Sequence, residues 1–254
     1  MACVCSVEAI PRFIVSAGGN VSAVRTHVAF TPAEAAEAPT GIVVDVLRAT
    51  STIAQALAGG YRRVLCCGEV EEARALREEL GDGLLAGERL CVRIPGFDLG
   101  NSPSEFAVAT GETVILSTTN GTRALVTAAA RCERVFAGSL LNLAAVVEAA
   151  REEGEDVAVF CAGVKGEFAM DDAYVAGRIV ELLAGERSDA AHAALRLSRS
   201  FDSAEEGLRA SQSARNLLNA GLEADIAWCA RESEVDIVPR FVGMHGSAAE
   251  ITAA

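Results

Sequence analysis

The chain has 254 residues, 51% of them apolar, with a formal net charge of -13 at pH 7 and a sequence pI near 4.7. That is enough apolar material for one large packed domain, and it sets disorder aside. The acidity argues against a nucleic acid or an anionic membrane as partner, because a polyanion binder carries a basic face, so an anionic ligand has to be held by a local cluster of donors.

No apolar stretch approaches the roughly 18 to 20 residues that span a bilayer, and no charged-then-apolar leader opens the chain, so a soluble, cytoplasmic protein is expected. The eight cysteines include no C-x-x-C pair and there are three histidines. A structural zinc site is therefore not expected, and the cysteines read as small buried hydrophobes.

Residues 1–22, broken by Gly18-Gly19-Asn20, read as an extension outside the pattern that follows. Residues 24–30 read as a strand, and Thr31-Pro32 starts a short helix or linker. Residues 41–60, GIVVDVLRATSTIAQALAGG, then join a buried strand, a polar turn and a helix. Its β-branched run, 42–47, is interrupted by Asp45, and the helix is expected over 51–58. The alternation continues: strand 62–67 and helix 69–80, strand 113–117 and helix 121–130, strand 134–137 and helix 140–152, strand 156–161 and helix 170–184. Short strands alternating with helices predict an α/β fold, three layers α/β/α around a mostly parallel sheet. Residues 186–224 read as helices, 225–229 as a closing helix, 235–241 as an edge strand because of Pro239, and 248–254 as a loose tail. One unit over 23–247 is expected. VVDVLRATSTIAQAL and VILSTTNGTRALVTA echo one another, which raises an internal duplication of similar α/β halves, although the unit is common enough to recur by chance.

In parallel α/β sheets ligands bind beyond the carboxyl ends of the strands, so the loops after strands are where chemistry is sought. The turn 45–52 brings Arg48, Thr50, Ser51 and Thr52 to a helix start, where free N–H groups and the helix dipole favour an anion. The plainer alternative is a helix cap beside a surface arginine. The turn 117–123, STTNGTR, offers a second anion site. The loop 161–172 carries Lys165 and ends on Asp171-Asp172, which also suit a helix dipole. The segment from Glu88 to Pro103, with Asp98, Asn101 and Ser102, is too long for a plain connector. Arg48 and Arg123 with Lys165, set among Asp45, Glu88, Asp98, Asp171 and Asp172, suit a phosphate or carboxylate ligand. Clustered carboxylates without histidine suit Mg²⁺. Phosphate-ester chemistry is the leading class. Cys161 is not read as a phosphocysteine nucleophile, since Glu167 stands where the arginine of such a loop belongs.

Taken in order, VVDVLRATSTI at 43–53, GERL at 87–90, IPGFDLGNSPSEF at 94–106, STTNGTRAL at 117–125 and CAGVKGEFAMDDAYVAG at 161–177 resemble the 2-phosphosulfolactate phosphatase family over residues 24–243. The resemblance implies a Mg²⁺-dependent phosphatase that hydrolyses (2R)-2-phospho-3-sulfolactate to sulfolactate and phosphate, as in coenzyme M biosynthesis. By motif position it assigns Arg48, Thr50, Ser51 and Thr52 to one anionic group, and Thr119, Asn120, Gly121, Thr122 and Arg123 to another. Asn101 and Ser102 join the substrate contacts. Asp45, Glu88 and Asp172 become the metal or acid/base candidates, with Asp45 open between nucleophile and metal ligand. A related phosphorylated hydroxy acid as substrate, a non-catalytic binding module and a homodimer all remain open at this level.

Overall fold

The structure is a computed structural model that describes residues 24–254. The expected extension over 1–22 lies outside the described residues. In chain order the elements are β1 (Arg25–Ala29), β2 (Thr40–Val44), α1 (Ala49–Ala58), β3 (Arg63–Cys67), α2 (Val70–Leu80), β4 (Leu84–Arg89), β5 (Val92–Arg93), a 3-10 turn (Pro103–Phe106), β6 (Thr113–Ser117) and α3 (Gly121–Ala129). There follow β7 (Arg134–Gly138), α4 (Leu143–Glu153), β8 (Val157–Cys161), α5 (Met170–Leu182), β9 (Glu186–Arg187), α6 (Asp189–Ser198), α7 (Ala204–Arg209), α8 (Gln212–Asn219), α9 (Glu223–Cys229), β10 (Pro239–His245) and β11 (Ala248–Ala253).

The fold is α/β, with an 11-stranded mixed sheet in the order β5-β4-β6-β3-β11-β10-β7-β2-β8-β1-β9. The apolar runs Val114-Ile115-Leu116 and Val157-Ala158-Val159-Phe160 are buried on both faces, as strands of a helix-covered parallel sheet must be. Pairing is parallel within β4-β6-β3 and within β7-β2-β8-β1-β9, and antiparallel across β3-β11, β11-β10 and β10-β7. Three antiparallel junctions in a row leave the two parallel groups running in opposite directions.

The C-terminus is where expectation and structure part. The segment read as a loose tail is β11, paired on both sides, and β10 is no edge strand. Pro239 stands at the first residue of its strand, where the missing N–H costs the ladder nothing. Ala248, Ala249 and Ile251 are fully buried, and a two-residue turn at Gly246-Ser247 closes the hairpin, with Gly246 at φ +60°. The hairpin thus stitches the two parallel groups together at the centre of the sheet.

Three apolar clusters fill the molecule. The largest lies between the β2-β7-β8 face and α4, α5, α6 and α8. A second gathers α1 and α3 with residues from both parallel groups, among them Val43, Ala137 and Phe160 on one side and Val64, Val114 and Leu116 on the other. A third sits under α2. Because α1 and α3 touch strands of both groups, the loops that precede these two helices meet despite the opposed strand directions.

Candidate active site

Strand β2 ends at Val44 rather than at 47, since the Asp45 N–H donates to the Thr50 hydroxyl (3.1 Å) and the Thr50 N–H returns to the Asp45 carbonyl (2.9 Å). That double bond turns the chain into α1 and leaves the Asp45 carboxylate at the strand end, with Oδ1 accepting from the Ala49 N–H at 3.3 Å. Gly121, the first residue of α3, lies against it. A Cβ there would stand 2.6 Å from that of Ala49 and 3.0 Å from Asp45 Oδ2, so glycine permits the two helix starts to close on the carboxylate.

A cavity of about 200 Å³ opens at this meeting point. Its walls are Asp45, Leu47 and Arg48 from the first turn, Glu88, Arg89, Leu90 and Cys91 from the β4-β5 hairpin, Asn101, and Thr118, Thr119 and Asn120 before α3. Val164 and Lys165 after β8, and Ser213 and Asn216 from α8, complete it. Burial pushes the Asp45 carboxyl up to about 7. Its bond to Ala49 works the other way, Asp171 and Glu88 add repulsion, and Arg48 relieves part of it. Asp171, buried, is raised to about 6 by desolvation, although the Ser213 hydroxyl donates to it at 3.1 Å.

Several expected residues do stand on this cavity: Asp45, Arg48, Glu88, Asn101, Thr119 and Asn120. Asn101 is 4% exposed, and its Oδ1 has no hydrogen-bond partner within the protein. Asn120 accepts the Lys165 N–H at 3.3 Å and so fixes that loop against α3.

Others are committed elsewhere. The Thr50 hydroxyl takes the Asp45 N–H, Ser51 donates to the Val46 carbonyl (2.8 Å) and Thr52 to the Asn101 carbonyl (2.9 Å). All three are buried and none lines the cavity, and their hydroxyls shape the turn. Thr122 likewise donates to the Cys67 carbonyl at 3.1 Å. Ser102 donates to Asp225 at 2.7 Å, and Arg48 Nη1 meets the same carboxylate at 2.6 Å. Arg48 therefore lines the cavity with part of its charge already neutralised. Arg123 is exposed and does not line the cavity. Asp172 has each carboxylate oxygen on a backbone amide, Val46 N–H and Gly163 N–H, both at 3.0 Å. It clamps the β2 and β8 loops together, and burial with repulsion from Asp171 and Asp45 holds its carboxyl well above the usual range.

A cavity-lining cation outside the expected site residues is Arg89. Gly87, at φ +143°, makes this possible: a Cβ would fall 2.2 Å from the Ser117 carbonyl oxygen, so only glycine lets the end of β4 lie this close to β6. The Arg89 guanidinium then rests on neutral acceptors alone, the carbonyls of Glu88, Gly68 and Ser117 and the Ser117 hydroxyl, at 2.7 to 3.3 Å. No carboxylate cancels it among the described residues. In the sequence Glu88-Arg89 looks like an exposed pair; reading 84–89 as a strand would have placed Arg89 at its carboxyl end. Ser213 and Asn216 carry no local signal of their position.

The expected set of Asp45, Glu88 and Asp172 is not assembled as a metal cage. Among the described residues no three His, Cys, Asp or Glu side chains converge to hold an ion, and Asp172 is taken up by its amides. Asp45 and Glu88 do face one cavity. Two hard carboxylates with room for water and a phosphate oxygen fit the open kind of site that Mg²⁺ uses. Cys161, at the end of β8, is fully buried with its thiol raised far above the usual value by desolvation, which rules out a nucleophilic thiolate there.

Comparison with known proteins adds an independent line. The family model described as 2-phosphosulpholactate phosphatase matches residues 26–243. A protein of Thermotoga maritima named as a probable 2-phosphosulfolactate phosphatase is 40% identical over 219 residues, 85% of this chain and 94% of its own. Proteins of the same name from Carboxydothermus hydrogenoformans (39% over 202 residues, 78% of this chain, 84% of theirs) and Thermus thermophilus (40% over 214, 82% and 90%) are similar to it as well.

Proposed function

The chain belongs to the 2-phosphosulpholactate phosphatase family, whose members are phosphoric monoester hydrolases, and from that premise we propose that it hydrolyses (2R)-2-phospho-3-sulfolactate to sulfolactate and phosphate in the cavity around Asp45. The observation that carries this reading is Arg89, a cation with no carboxylate partner among the described residues, on the wall of the same cavity as two carboxylates in a protein of net charge -13. A guanidinium charge that no carboxylate cancels, with Lys165 on the same wall, favours a ligand whose oxygens are anionic.

In this reading the exposed Thr119 hydroxyl binds a phosphoryl oxygen, the Arg89 charge on the cavity wall stabilises the phosphoryl group, and the Asn101 amide orients the ester. Asp45 and Glu88 would hold Mg²⁺, which when bound neutralises charge on the phosphoryl group. Asp45 gives up its proton before it can serve there, so the affinity for Mg²⁺ strengthens as pH rises toward 7. Arg48, fixed by Asp225, keeps the turn that presents Asp45 in place. The product would suit coenzyme M biosynthesis.

The test is phosphate release from 2-phosphosulfolactate with Mg²⁺ and after EDTA. Release that stops on chelation and returns with Mg²⁺ is expected. Organic product without free phosphate, or binding without turnover under any metal condition, contradicts the proposal.

A further inference from the structure

Beside the catalytic cavity lies a second, larger groove of about 500 Å³, between the loop after β8 and the start of α8. The two share Val164, Lys165, Ser213 and Asn216, so they adjoin, with Lys165 on their common border. Lys165 is held there by its backbone, at φ 55° and with its N–H on Asn120. At the far side stands Arg215. Its Nε and Nη2 rest on Gln212 Oε1 at 3.1 and 2.9 Å and its Nη1 on the Ala210 carbonyl at 3.3 Å. Neither cation has a carboxylate partner among the described residues. The acids on the groove do not cancel them: Asp171 is buried and bonded by the Ser213 hydroxyl, and Glu167 is exposed, with its backbone paired to Val164.

We propose that this groove is a specificity subsite for the sulfonate of the substrate, with Arg215 and Lys165 as its donors. The assignment rests on the phosphatase reading above and deepens it. In 2-phosphosulfolactate both acidic ends branch from the carbon that carries the phosphate. The sulfonate stands one methylene further out than the carboxylate, so it is the group that reaches from the catalytic cavity into an adjoining space. A sulfonate presents three oxygens and stays ionised at any working pH, which matches a guanidinium and an ammonium placed on either side. Arg215 is a specificity residue here; nothing in its position brings it to the reacting phosphorus.

The experiment compares wild type with Arg215→Ala on 2-phosphosulfolactate and on 2-phospholactate, which lacks the sulfonate. Loss of about 30-fold or more in kcat/KM on the first, with less than about 3-fold change on the second, is expected for a charged contact made to one substrate only. Equal loss on both substrates, or no loss on either, overturns the subsite. Calorimetry with sulfolactate and lactate reads the groove without turnover. Wild type should bind sulfolactate about tenfold or more tighter than lactate, and Arg215→Ala should erase that difference. A wild-type chain that binds the two alike overturns the subsite. A preference for sulfolactate that Arg215→Ala abolishes, in a chain that releases no phosphate, upholds the subsite and sinks the phosphatase reading alone.

Discussion

Asp45 carries two demands that oppose each other. Its carboxyl ends a buried strand and faces Glu88 with Asp171 close by, so desolvation and like charge raise it to about 7, while function in the proposed site needs it ionised. A folded-state value above the ordinary 3.8 means that the folded chain holds the proton more tightly than the unfolded one. The contribution to stability is then full below about pH 4 and is lost as pH rises through about 7. Asp45→Asn keeps the acceptor for the Ala49 N–H and removes the charge. It should abolish turnover and, without metal above pH 7, stabilise the fold by about 1 to 2 kcal/mol, less than the whole shift because the carboxyl is partly exposed. Below pH 4 the gain should vanish. Thermal melts of both proteins from pH 4 to 8 check this, and an advantage that is flat with pH would remove Asp45 as the strained group.

At the scale of elements, the site is a junction of loops held by buried polar bonds. Asp172 ties the β2 loop to the β8 loop, Asn120 ties the α3 start to Lys165, and the Arg48–Asp225 pair ties α1 to α9. Both partners of that pair are buried, at 3% and 4% exposure, so removing one strands the other without water or counter-charge. Arg48→Ala should therefore cost about 3 to 5 kcal/mol of stability, measured by urea unfolding, rather than acting chiefly on substrate affinity. A cost below about 1 kcal/mol would mean that Asp225 finds another partner.

These bonds also mark what could be read from the chain alone. The strand-turn-helix units at Asp45 and at Asn120 were legible because β-branched runs give way abruptly to alanine-rich helices. Which way the hydroxyls of Thr50, Ser51 and Thr52 turn was not, since a hydroxyl at a helix start serves backbone or ligand equally well and tertiary neighbours decide. Strand β4 was hidden by Gly87, and Arg89 with it. Strand β11 was hidden because Ala248-Ala249 buries as fully as valine in a crowded centre while carrying little hydrophobic signal.

For the whole molecule, the two parallel groups run in opposite directions and are linked within the sheet by the β10-β11 hairpin, and their loops converge because α1 and α3 pack against both. The functional consequence is that one cavity draws on strand ends from each group: Asp45 and Lys165 from one, Glu88, Arg89 and Thr119 from the other. Against the net negative charge of the chain, this convergence delivers Arg89 and Lys165 to the cavity without a carboxylate partner among the described residues, whereas Arg123 is exposed and does not line it. The central claim is that phosphate binds where the two groups meet, and it is tested most directly by kcat/KM for phosphate release from 2-phosphosulfolactate in Arg89→Ala and Arg123→Ala. The account predicts a loss of about 100-fold or more in Arg89→Ala, as for a fixed positive charge that stabilises the reacting group, and less than about 3-fold in Arg123→Ala. The reverse ranking, or equal and small effects in both, would contradict it.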